Sequence, residues 1–277
     1  MAKAQAATNT VLISHRVNAE RIVLLGWSRA ILLQLAHPLV AAGVAGHSTF
    51  RGRGLAAAKR LHLTVRAMLA LTFADAYGRA AALDGIRAIH RRVHGHLPAA
   101  AGRFAAGTPY SAEDPDLVLW VHATLLDSIP LIYERLVRPL TISERDAYCD
   151  EAAAVAIDLG ARASDVPRTR EALRRYFDQI EASEAIVVGA QARELASAVL
   201  APPFAPFVAP LAWINRTITV GLLPDRIRSE YGFDWTPRDD RALERLTSAL
   251  RVCRGVAPRA IAQWPEAKQV SSPVERP

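Results

Sequence analysis

The stretch IVLLGWSRAILLQLAHPLVAAGV, Ile22 to Val44, decides the fold. It is apolar along nearly its whole length and, at the usual helical rise, about long enough to cross a bilayer. Arg29, Gln34, His37 and Pro38 interrupt it, and each is costly in hydrocarbon. A helix buried in a protein core tolerates the same residues, so the segment predicts the interior of a soluble helical protein rather than a transmembrane span. Peripheral contact with a membrane stays open.

The same character extends outward. Ala and Leu, both strong helix formers, dominate the stretches between Gly and Pro marks, and the 51% hydrophobic share is ample for a sizeable core. The apolar period places helices near 16–45, 53–72, 79–94, 114–138, 143–159, 167–181, 184–200, 205–221 and 239–254. No stretch alternates in the manner of a strand. Asp114 and Pro115 mark one helix start and SERD at Ser143 another. The expectation is an all-α fold: a flexible N-terminus over 1–15, one helical domain over 16–264, and a polar, disordered tail over 265–277. No internal repeat is visible.

The formal charge of +7 would ordinarily suggest nucleic acid. Almost all of it is Arg, with Lys only at Lys3, Lys59 and Lys268, and it is scattered among Asp and Glu rather than gathered on one face with aromatics. No nucleic-acid partner is expected. Cys149 and Cys253 lack metal-site or disulfide spacing and read as two small buried hydrophobes. No secretion signal is recognised, so a cytoplasmic location is expected.

Histidine carries the chemistry. Six of the eight fall between His37 and His96. His90 and His94, one turn apart on the expected helix, would share a face, and Arg87 lies three residues before His90 on that face. An arginine would oppose a bare divalent ion but suits a haem, where one neutral imidazole binds iron and arginines hold the propionates. Arg60 and Thr64, one turn apart on the preceding helix, could supply a second polar grip. His15, His47, His62 and His96 read as ordinary structural or surface residues, His37 as a buried, hydrogen-bonded one, and His122 as either packing or support of a site. Spacing alone supports a metal or cofactor site at His90 and no more.

Four stretches are more specific: QLAHPLVAAGVAGHSTFR (Gln34 to Arg51), RAIHRRVHG (Arg87 to Gly95), YSAEDPDLVLWVHATLLDS (Tyr110 to Ser128) and LPDRIRSEYGFDW (Leu223 to Trp235). Together they resemble the rubber oxygenase and mpaB-type oxygenase catalytic domain family. Its characterised branches cleave polyisoprene or a farnesyl chain, and the rubber-cleaving members are helical b-type haem proteins with a globin-like core. The resemblance implies a haem-dependent oxygenase with dioxygen and a small apolar, isoprenoid-like substrate as partners.

By position it implies His90 as the proximal iron ligand, with Arg87, Arg60, Thr64 and His122 around the haem. Leu63 stands where rubber-cleaving members carry a lysine that can cap the iron, so the distal side is expected to be open, water-bound or served by another group such as His62. His94 stands where those members have an arginine, which keeps a second expectation alive: non-haem iron or zinc on His90, His94 and His122. A non-catalytic helical module binding haem or an apolar ligand is the third.

Overall fold

Two helices form the axis of the protein, α2 (Leu25–Leu35) and α6 (Pro115–Leu136), packed along their lengths. They approach closely because Gly26 has no side chain: a Cβ there would lie 2.8 Å from the Ser128 carbonyl oxygen on α6. Buried Leu32, Leu33 and Leu35 of α2 join Trp120 of α6 in the largest apolar cluster. The computed structural model describes residues 11–47, 55–200 and 209–270.

Around the axis run α1 (Ile13–Asn18), a 3₁₀ turn (Arg21–Leu24), α3 (Pro38–His47), α4 (Leu55–Phe73), α5 (Ala76–His90) and α7 (Ile142–Asp158). The second half supplies α8 (Arg170–Ala182), α9 (Ala190–Leu200), α10 (Ala209–Gly221), α11 (Asp225–Glu230), α12 (Pro237–Val256), α13 (Arg259–Ala262) and α14 (Ala267–Val270). The all-α class holds. The four- to six-residue helices α11, α13 and α14 lie outside the helices expected from the sequence, and α14 falls in the stretch expected to be a disordered tail.

α6 begins as the sequence predicts, with the Asp114 side chain accepting from the Asp116 amide and Pro115 in the first turn. α7 is capped two residues earlier than SERD suggests, because Thr141 and Glu144 form a reciprocal capping box. α6 is long and apolar enough to cross a membrane, but 72% of its apolar window is buried inside the protein, as befits a core helix.

The helix expected over 16–45 is instead broken twice. The chain bends by 108° between the segment ending at Leu35 and α3. Pro38 opens α3, where its missing N–H costs nothing, and it disfavours helical backbone at His37. The His37 ring then accepts from the Leu39 amide through Nδ1, at 3.3 Å. The earlier break falls at Glu20, whose backbone is extended and whose carboxylate, 2% exposed, is held by Arg254 of α12 and by Gln263. That clasp also orders part of the stretch expected as a tail: the Trp264 amide donates to the Ala19 carbonyl, and α14 follows. Residues 271–277 lie outside the described residues.

The helix expected over 79–94 ends at His90. The chain turns at 91–93 and enters β1 (His94–His96), which pairs antiparallel with β2 (Pro109–Ser111), His94 facing Ser111 and His96 facing Pro109. Gly95 lets the Tyr110 ring lie across this ribbon, since a Cβ at Gly95 would meet the Tyr110 hydroxyl at 2.7 Å. The expectation of no strand is corrected to this one two-stranded ribbon among the described residues. Cys149 is buried as expected, but Cys253 is exposed on α12.

Candidate functional site

His90 is the last residue of α5, and what aims it is the end of α7. That helix ends at Asp158, and the chain turns away at Gly160, whose φ of +111° is a left-handed conformation suited to glycine; the Ala161 amide turns back to the Ala156 carbonyl. The Asp158 carbonyl is left at the helix end, and the Arg87 guanidinium donates to it from Nε at 3.0 Å and Nη2 at 2.5 Å. Arg87 also pairs with Asp84 at 3.1 Å, and Arg79 pairs with the Asp158 carboxylate at 2.8 Å. Two arginines of α5 thus grip one residue of α7.

The grip leaves a cavity of about 300 Å³ between the two helix ends. Arg87, His90 and Arg91 line it from α5, Glu113 from the turn before α6, and Ile157 to Gly160 from α7. Burial pulls the His90 imidazole below its ordinary pKa, against a smaller upward pull from Glu113. The ring is therefore neutral near pH 7, as a metal ligand must be. Among the described residues it makes no hydrogen bond.

Arg60 and Thr64 lie on α4, which packs against α5; the Arg60 side chain lies outside the described residues. Thr64 and His62 are exposed, and Leu63 is 54% exposed. His122 sits inside the protein on α6; its Nε2 has no hydrogen-bond partner among the described residues, and burial drives its pKa down to about 4. His37 is also held down to about 4, by burial and the Arg103 charge, and packs on Phe104. His94 does not share a helix face with His90. It lies exposed on β1, where its carbonyl meets His47 Nε2 at 2.9 Å.

Among the described residues no group of three or more His, Cys, Asp or Glu is placed to hold a metal ion, so the set His90, His94 and His122 is not assembled. The donor chemistry around His90 fits a haem better: one neutral imidazole free of hydrogen bonds, beside an exposed arginine, Arg91, that has no carboxylate partner among the described residues. Arg87 has committed its Nε and Nη2 to Asp158 and fixes the wall instead. Arg79, Arg91, Glu113 and Asp158 went unnoticed in the sequence, because they converge only when the end of α7 meets the end of α5.

The profile of the family "ER-bound oxygenase mpaB/B'/Rubber oxygenase, catalytic domain" matches residues 15–252. The chain belongs to this family. As an mpaB/rubber oxygenase catalytic domain it is an oxygenase-type protein, and the match takes in every element that builds the His90 cavity. It is similar to the uncharacterized protein Rv2237 of Mycobacterium tuberculosis and to Mb2261 of Mycobacterium bovis, each 27% identical over 235 residues, covering 82% of this chain and 87% of the relative. No solved structure matches this family member, so the globin-like core implied by the resemblance gains no support from that side.

Proposed function

We propose that the protein is a haem b-dependent oxygenase acting on a small apolar substrate with dioxygen, and that His90 is the axial ligand. The observation that carries this reading is a neutral imidazole, without a hydrogen bond among the described residues, facing a cavity in a chain of the oxygenase family. Haem iron, when bound, supplies the activation of dioxygen and the bond-breaking chemistry.

The chain's own part is to hold and orient. His90 offers a neutral ring nitrogen. Arg91, with Arg60 from α4, would hold the propionates by charge-assisted hydrogen bonds. Arg87 keeps the last turn of α5 against α7, so that His90 stays aimed at the cavity. Thr64 on α4 and the unpartnered Nε2 of His122 are further polar groups for the site. An alkene-bearing, isoprenoid-like substrate inside the cell accords with the apolar interior and with the family.

Expression with ample haem supply tests the reading. A Soret band that shifts on reduction by dithionite, lost in His90→Gly and restored by free imidazole, is the expected result. A colourless protein, or a His90→Gly variant with unchanged haem content and spectrum, would overturn it. Dioxygen uptake that depends on an alkene and is absent with the saturated analogue then separates an oxygenase from a binding module.

A further inference from the structure

A second cavity lies away from His90, between α6, α7, α8 and α11, with α2 beneath it. Its volume is about 510 Å³, within the range of small-molecule sites. Its floor is apolar and made by core residues, among them Leu33, Trp120, Leu126, Ile186 and Ile227, each 4% exposed or less. Phe177 of α8 stands edge-on to Trp120 across it, with ring centroids 5.6 Å apart.

The rim has the opposite character. Five arginines and three carboxylates line the cavity, an excess of two positive charges. All three carboxylates are spoken for: Asp127 by Arg29 at 2.6 Å, Glu134 by Arg145 at 2.7 Å, and Glu181 by Arg226 at 2.8 Å. Arg170 and Arg174 remain, at the start of α8. Arg174 pairs with Glu171 and Asp178, outside the cavity. The Arg170 guanidinium is exposed and has no hydrogen-bonded carboxylate among the described residues, although its charge acts on the neighbouring Glu171 and its backbone amide donates to the Asp146 carboxylate at 2.8 Å.

We infer that this cleft binds a single-chain anionic amphiphile, its apolar body on the Trp120 and Leu126 floor and its anionic head at Arg170. A purely apolar ligand would make no use of the exposed Arg170 guanidinium, and a small polar anion would leave the apolar floor wet. A chain with a terminal carboxylate satisfies both. The site is independent of the haem reading, since it shares no lining residue with the His90 cavity.

Titration calorimetry on the full chain tests it with dodecanoate, dodecanol and dodecyltrimethylammonium. Dodecanoate is expected to bind roughly tenfold more tightly than the alcohol, and the cation more weakly than either. Arg170→Glu should abolish the preference for the acid, and Ile180→Trp, which fills the cleft from α8, should abolish binding with the thermal transition retained. Ile157→Trp, which fills the His90 cavity, should leave dodecanoate binding intact. Equal affinity for acid and cation, or binding lost in Ile157→Trp but kept in Ile180→Trp, would overturn the inference. So would association with vesicles of dioleoylphosphatidylglycerol that excess dodecanoate fails to reduce, because the anionic chain would then be recognised in a bilayer and elsewhere on the protein.

Discussion

Arg87 on α5 and Asp158 on α7 are joined by two hydrogen bonds from one guanidinium to one carbonyl oxygen. The contact caps α7 and fixes the turn that carries His90. Arg87→Ala should therefore lower stability by about 1 kcal/mol, since the side chain is partly exposed, and Arg87→Lys should recover part of it. Urea denaturation checks the first effect. If His90 is the axial ligand, haem retention should fall in step.

The α2 and α6 contact leaves no room for a methyl group at Gly26. Gly26→Ala is expected to cost about 1 to 3 kcal/mol by overpacking, although alanine is the better helix former. A thermal transition unchanged or raised in this variant would contradict the packing described.

Glu20 is almost fully buried and depends on Arg254 and Gln263. Removing the cation strands a buried carboxylate, so Arg254→Ala should destabilise by about 3 kcal/mol or more, whereas Glu20→Gln together with Arg254→Ala should cost less than the Arg254 change alone. A double-mutant cycle measures the difference, and limited proteolysis after residue 256 should report release of α13 and α14.

The pH dependence follows from His37 and His122, both with folded pKa values near 4 against an ordinary 6.5. Above about 6.5 both are neutral folded or unfolded and contribute no slope. As pH falls from about 6.5 to 4, the unfolded chain takes up protons that the folded chain refuses, so stability declines; below about 4 this contribution levels off. The unfolding free energy of His122→Leu should fall less steeply over that window. An identical slope in the variant would show that His122 titrates freely in the folded protein.

Much of this fold is legible residue by residue. Asp114 and Pro115 announce α6, and the apolar period alone recovers α4 and α7 to within two residues. The bend at His37 was hidden because apolar residues continue on both sides of Pro38, so hydrophobicity shows no boundary there. β1 escaped notice because three-residue strands carry no period; they exist through hydrogen bonds between residues 94–96 and 109–111. Ending α5 at His90 removes His94 from its face, so the set His90, His94 and His122 is not brought together.

The candidate site divides along the same line. His90 as a candidate ligand, and the apolar surroundings of His122, are legible from single stretches of sequence; the burial that lowers the His90 pKa is not. The partners of Arg87 are not legible there either, because Asp158 lies 71 residues away and its carbonyl becomes available only through the way the chain turns at Gly160 after α7. Arg91 stands out only once Arg87 is seen to be engaged.

Whether His90 holds a haem is read from the absorption spectrum of the purified protein, oxidised and dithionite-reduced, beside that of His90→Gly. A Soret band is expected in the parent, with its loss in the variant and its return with added imidazole. A parent protein without porphyrin absorbance after haem-supplemented expression would contradict it, as would a variant that keeps the parent's spectrum.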